Sequence, residues 1–171
     1  MEIIHIPIER VAVLIGKNGV VKKAIEKECD VELKIAKDGE VEIIGDSIKS
    51  FFAKDVVKAI GRGFLPEEAL KLLKENYQFY LIDLGDHVNK KGIIRIKGRV
   101  IGKEGKMKKE IETATESYVS VYGDTVGIIS NIDTIEQAKE AVFMIINGAQ
   151  HYSVYNYLAK AKREIMAERL R

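Results

Sequence analysis

Along this chain the apolar positions alternate, then recur every three or four residues, then alternate again, and the whole cycle happens twice. Residues 2–8 (Glu-Ile-Ile-His-Ile-Pro-Ile) are β-branched and alternating, which predicts a strand. Residues 9–15 predict a short helix that ends at Gly16. From Val20 onward the apolar residues Val21, Ile25 and Cys29 recur every four positions. Lys22, Lys23, Glu26 and Lys27 occupy the other faces, the pattern of an amphipathic helix with Cys29 in the core. Val31, Leu33 and Ile35 alternate with Glu32 and Lys34, a half-buried strand. Lys37-Asp38-Gly39 is a turn signal, and Val41, Ile43 and Ile44 form the partner strand. Asp46 or Ser47 caps a helix that runs to about Gly61. Its expected apolar face is Ile48, Phe52, Val56 and Ile60, with Phe51-Phe52 mostly in the core. The predicted order is β-α-α-β-β-α.

A connector follows from Gly63 to Asn76, with Pro66 at the first position of a short helix, where its missing N–H costs nothing. Tyr77 to Leu84 reads as a strand and Gly85 to Lys91 as a polar loop. Ile93 to Ile101 reads as a short helix and 106–116 as an amphipathic one with Met107, Ile111 and Ala114 inward. Tyr118–Tyr122 and Val126–Ser130 make a hairpin around Gly123-Asp124. Asp133 or Thr134 caps a helix to Gly148, so the same order returns. The repeat holds residue by residue. Gly16, Gly19, Lys22, Lys23, Ile25 and Glu26 match Gly102, Gly105, Lys108, Lys109, Ile111 and Glu112 at an offset of 86. Val41, Ile44, Ala53, Val57, Ile60 and Gly63 match Val126, Ile129, Ala138, Val142, Ile145 and Gly148 at an offset of 85. Two copies mean a duplicated small domain rather than a solenoid, which needs three or more. The expected divisions are 1–63, a helical connector at 64–76, 77–148, and a terminal helix at 149–171. In the terminal helix Val154, Leu158, Ala161 and Ile165 form a stripe that packs back on the body.

Charge changes this picture only through its placement. The 171 residues carry a net charge of just +2. Residues 90–109, however, hold nine basic side chains against Glu104 alone, and residues 9–28 hold five against three acids. No run approaches the roughly 18 apolar residues of a membrane span, and Met1 leads straight into a strand without a secretory n-region. The single cysteine excludes an internal disulfide framework and fits a reducing, cytoplasmic location. His5, His87 and His151 lack metal-site spacing, so no metal or cofactor is expected. The Gly-Lys pairs lack P-loop spacing, and the expectation is a protein without catalytic residues.

The chemistry therefore gathers at two stretches. One is Ile15-Gly16-Lys17-Asn18-Gly19, and the other is Ile101-Gly102-Lys103-Glu104-Gly105-Lys106. A Gly-x-x-Gly turn between helices admits another backbone closely, because glycine has no Cβ. It also presents the unpaired N–H groups at the start of the second helix to an anion such as phosphate. Arg99, Lys106 and Lys109 flank the second loop, and Lys22 follows the first. Leu14, Ile15, Val100 and Ile101, with the edge strands, are expected to floor a groove for bases. Glu104 is unwelcome beside a phosphate and is expected to point outward. The better-charged second loop is expected to bind more strongly.

Ile-Gly-Lys-Asn-Gly-x-x-x-Lys-x-Ile-Glu and Ile-Gly-Lys-Glu-Gly-x-x-Lys-Lys-x-Ile-Glu resemble the KH-domain signature, whose loop clamps about four nucleotides of a single strand. The resemblance covers about 2–63 and 77–148. It implies an α+β fold of two eukaryotic-type (type I) KH domains, each a three-stranded sheet backed by helices, plus the C-terminal helix. The tandem layout, the Pro-Glu-Glu connector and the run Tyr80-Leu81-Ile82-Asp83-Leu84 are similar to the archaeal Dim/Pno-type small-subunit ribosome-assembly family. That resemblance implies single-stranded RNA near the small-subunit rRNA 3′ end as ligand. It also implies contact with the endonuclease that matures this end and with initiation or assembly factors. In eukaryotic members the first loop is degraded, whereas Gly16-Lys17-Asn18-Gly19 is intact here. The rival readings are another RNA pathway, such as degradation or transcript binding, and a protein-interaction scaffold in which the KH sheets or the last helix bind other proteins. Tyr152, Tyr155 and Tyr157 are read either as stacking on bases or as packing the last helix.

Overall fold

The computed structural model describes all 171 residues. They form two compact units, Met1–Tyr77 and Gln78–Arg171. In the first, β1 (Glu2–His5) leads into α1 (Ile8–Ile15), a short loop and α2 (Val20–Cys29). Then come β2 (Glu32–Ile35), β3 (Glu40–Ile44) and α3 (Ser47–Gly61). The sheet order is β1-β3-β2, antiparallel, with Ile4 opposite Val41 and Leu33 opposite Ile43. The alternation expected from the sequence sets this register, because a one-residue slip would turn Val41 and Ile43 out of the core. Asp46 is the cap of α3, accepting hydrogen bonds from the Ile48 and Lys49 amides at 2.9 and 3.2 Å. A short α4 (Pro66–Ala69) and a tight turn over Leu70–Leu73 pack on α3.

The second unit repeats the design. It holds β4 (Tyr77–Asp83, whose first residue closes the other unit), α5 (Lys90–Ile101), α6 (Lys106–Thr115), β5 (Tyr118–Tyr122), β6 (Thr125–Asn131) and α7 (Ile135–Ile146). The sheet order is β4-β6-β5. The 19-residue α8 (His151–Arg169) lies against α6 and α7, with Val154, Leu158, Ala161 and Ile165 buried as their spacing predicts. The fold class expected from the sequence is the one observed.

Three local expectations need correction. Helix α5 begins at Lys90, not Ile93, because the Asn89 side chain accepts the Gly92 amide at 2.9 Å and starts the helix inside the supposed loop. Leu14 and Val100 are completely buried and cannot floor a groove. Phe51 and Phe52 are 59% and 47% exposed, and the inward face of α3 is Ala53, Val56, Val57 and Ile60. Burial places Cys29 where its spacing put it and pushes its thiol pKa up to about 11.

Candidate nucleic-acid interface

The two Gly-x-x-Gly loops share one backbone conformation. Gly16 and Gly102 both sit at φ 75°, ψ 173°. Asn18 is at φ 55°, ψ 26° and Glu104 at φ 55°, ψ 28°. Gly19 and Gly105 are left-handed at φ 74° and 75°, as are Asp30 and Glu116 after the following helices, both at φ 52°. In each loop the first glycine's amide closes the preceding helix, to Ala12 O at 2.9 Å or Gly98 O at 2.8 Å. The last glycine's amide turns back to the first glycine's carbonyl at 3.2 Å in both copies. The two middle amides, of Lys17 and Asn18 and of Lys103 and Glu104, lie outside this set and crown the loop, where a phosphate would meet them.

The two glycines of each loop serve different ends. A Cβ on Gly16 would lie 2.5 Å from Val21 Cγ2, and one on Gly102 would lie 2.7 Å from the Met107 amide nitrogen. These positions are glycine because the next helix starts against them. A Cβ on Gly105 would meet nothing within 4 Å, and one on Gly19 only the flexible Lys23 chain at 3.9 Å. The second glycine therefore faces open space, on the side from which a ligand backbone would approach.

Beside each loop runs an apolar stripe of which sequence reasoning named only the last residue, Ile15 or Ile101. On α1, Ile8, Ala12 and Ile15 share one face, and on α5 so do Ile94, Gly98 and Ile101, each at i, i+4, i+7. Ile8 is 64% and Ile94 75% exposed. The i, i+4, i+7 spacing was the available signal, but a two-turn helix gives no hint of which face meets the sheet. The wall opposite is held by the glutamate of each motif. Glu26 Oε1 accepts the Leu33 amide at 2.8 Å and Glu112 Oε1 accepts the Val119 amide at 2.9 Å, tying α2 to β2 and α6 to β5. The result is a twofold device, with open amides and lysines at one end of an exposed apolar helix face.

Residues 1–59 match the KH domain, and residues 78–163 match the eukaryotic-type KH domain, KH-domain type I. The chain belongs to the type I KH-domain family. It is 47% identical over 175 residues to a KH domain-containing protein of Methanocaldococcus jannaschii, covering 99% of this chain and 77% of that one. It is 32% identical over 108 residues to the pre-rRNA-processing protein PNO1 of Chaetomium thermophilum, covering 61% of this chain and 42% of the relative. Among solved structures it matches the a/eIF2alpha–aDim2p–rRNA complex of Pyrococcus horikoshii, with a TM-score of 0.88 and 42% identity over 95% of this chain and 94% of the matched one.

Within the second KH domain the lysines expected at the interface, Lys103, Lys106 and Lys109, are exposed around the loop, and Ile101 stands on the apolar stripe. The Lys106 ammonium also lies 5.8 Å from the Tyr155 ring centroid on α8. Arg99 is the exception. Its guanidinium donates to the carbonyls of Ile145, at 3.2 Å, and Ala149. Capping the end of α7 commits it to the fold and takes it out of the binding set. His151 Nε2 is 2.9 Å from the Arg99 carbonyl and secures the first turn of α8 there.

In the first KH domain Lys17 and Asn18 are exposed at the loop tip, and Ile15 is half-buried at the end of its stripe. Lys22 lies 3.8 Å from Glu26, as Lys108 lies 3.7 Å from Glu112, so it is drawn toward the motif glutamate. The cap on α3 comes from Arg10, whose Nε and Nη2 donate to the carbonyls of Ile60 and Phe64, both at 2.8 Å.

Proposed function

We propose that this protein binds single-stranded RNA through both Gly-x-x-Gly loops, with the 3′ region of small-subunit rRNA as its target during rRNA processing. The observation that carries the reading is the duplicated loop, with its middle amides and second glycine open beside an exposed apolar stripe. Phosphates sit on Lys17-Asn18 and Lys103-Glu104 and their neighbouring lysines. Unstacked bases lie on Ile8-Ala12-Ile15 and Ile94-Gly98-Ile101, a surface suited to single strands rather than a closed duplex. The lysine-rich second domain supplies most of the affinity and the first extends the path. The protein acts by holding RNA, without catalysis of its own.

The homologous PNO1 is named for pre-rRNA processing, and the matched Pyrococcus chain is crystallised with rRNA and a/eIF2alpha. Both support an rRNA target, and the second also supports an initiation-factor partner. The rRNA 3′-end endonuclease is a further partner in this reading. The test is a fluorescence-anisotropy titration against short strands of the small-subunit 3′ end, scrambled strands and duplex. Tight binding to the first alone is expected, and equal weak binding to all three overturns the target. Measured across salt, the affinity slope should shrink by about 0.7 for each phosphate contact removed. Lys103→Ala should reduce it more than Lys17→Ala, and the reverse order refutes the ranking of the two domains.

A further inference from the structure

The internal repeat exposes a difference on the face away from the loops. In the second KH domain the last turns of α8 lie across the cleft between the end of α6 and the start of α7. Ile165 is buried there beside Ala114, and the Arg169 guanidinium forms a two-pronged pair with the Glu116 carboxylate. The offsets of the repeat carry Ala114, Glu116 and Thr134 onto Glu28, Asp30 and Lys49 of the first domain. Those three residues line a cavity of about 360 Å³, together with Phe52 and Glu75. No helix fills it. The connector reaches its margin with Leu73 and Glu75.

The rim of this cavity is reversed in polarity as well. Asp133, Glu136 and Gln137 on α7 correspond to Ile48, Phe51 and Phe52 on α3. Ile48 is 71% exposed, and the two phenylalanines stand edge to face with ring centroids 5.9 Å apart, open to solvent. An isoleucine and two phenylalanines gathered on one face of a helix form a contiguous apolar patch of the sort that marks an interaction site. The lining charges are Glu28, Asp30 and Glu75 against Lys49 alone. That balance repels a phosphate backbone and favours a cationic partner.

We propose that this cleft of the first KH domain is a docking site for a basic amphipathic helix of a partner protein, seated as α8 is seated on the second domain. Its apolar residues at i, i+4 and i+7 cover Ile48, Phe51 and Phe52 and enter the cavity. Its arginine or lysine, one turn further on, meets Asp30 as Arg169 meets Glu116. Asp30 is now paired with Lys49, an exposed ion pair that contributes little and is readily exchanged. A second copy of this chain docking through the same face would set three acids against three acids. The proposal is independent of how the loops bind RNA.

The experiment is a display selection of a library of amphipathic helical peptides on the full-length chain, followed by anisotropy titrations of the enriched peptides. Phe52→Glu and Asp30→Asn serve as test variants. Phe52 is half-exposed, and asparagine accepts the left-handed backbone that Asp30 adopts, so both variants keep the parent's circular dichroism and melting temperature. The selection is expected to enrich the i, i+4, i+7 apolar pattern with a flanking arginine or lysine. Peptide binding should weaken at least about tenfold on each variant, while binding of the rRNA strand is unchanged. Enrichment without that pattern, or equal binding to Phe52→Glu, overturns the proposal. So does displacement of the peptides by single-stranded RNA, or sedimentation showing a dimer that Phe52→Glu dissolves.

Discussion

Replacing Glu104 by asparagine, the residue at the same place in the first loop, should improve the protein in two ways at once. Glu104 is held at φ 55°, ψ 28°, a left-handed conformation that costs an ordinary side chain roughly 1 kcal/mol or more. Asparagine enters this region several-fold more readily, so Glu104→Asn should recover about 0.5 kcal/mol. For a unit of this size that raises the melting temperature by about 3 °C. The same change removes the single negative charge in the basic stretch 90–109. A carboxylate about 6 Å from a phosphate, partly screened, opposes binding by about 1 kcal/mol, which is about fivefold in Kd. Thermal melts and anisotropy titrations against an rRNA 3′-end strand measure the two effects, and Glu104→Gln separates them. Glutamine should bring the gain in affinity, shrinking as salt rises, without asparagine's relief of backbone strain. If both variants bind RNA more weakly, Glu104 is an acceptor for the ligand and the electrostatic reasoning fails. If asparagine leaves the melting temperature unchanged, the strain argument fails.

Gly105→Ala places a methyl in open space, so it should cost about 1 kcal/mol of left-handed strain and weaken RNA binding sharply. Gly102→Ala drives its methyl onto the Met107 amide and should lower the melting temperature more, which paired melts and titrations will check. Arg99→Ala should lose about 2–3 kcal/mol in urea melts by uncapping α7, with RNA affinity of the folded fraction unchanged. A loss of affinity without a loss of stability would return Arg99 to the interface. The Cys29 thiol, raised by burial to about 11 from an ordinary 9.0, keeps its proton in the fold while the unfolded chain releases it. Stability should therefore fall as pH rises from about 9 to 11, by up to about 1.4 kcal/mol per unit, a slope absent in Cys29→Ala. A thiol reagent at pH 8 should label only unfolded chains.

The element order, both loops and the repeat were legible in the sequence because each rests on local rules, namely alternation, four-residue recurrence and glycine punctuation. What failed needed knowledge of rotation about a helix axis. Leu14 and Ile15 differ by 100° around α1, and only the position of the sheet decides which is core and which floors the groove. The spacing of Ile48, Phe52, Val56 and Ile60 is a good helical stripe, yet α3 buries the neighbouring one, Ala53, Val56, Val57 and Ile60. Arg99 looked like one more cation beside a phosphate loop. Its partners lie 46 and 50 residues away, beyond any local pattern. The candidate site itself was half visible. The glycines and lysines announced themselves, as did Ile15 and Ile101, while the rest of the apolar stripe and the bracing role of Glu26 and Glu112 emerged only when strands and helices met.

The two arginines that close α3 and α7 do not occupy matching positions. Ile60 and Phe64 correspond to Ile145 and Ala149, but Arg10 corresponds to Ile96 and Arg99 to Val13. Between the halves the capping cation differs in place by about a turn of helix, while its two acceptors keep their positions. The halves thus carry a compatibility barrier. A chimera that exchanges the first helix alone forces the cap to reach from the wrong turn. An exchange of whole domains carries each arginine along with the carbonyls it evolved to meet.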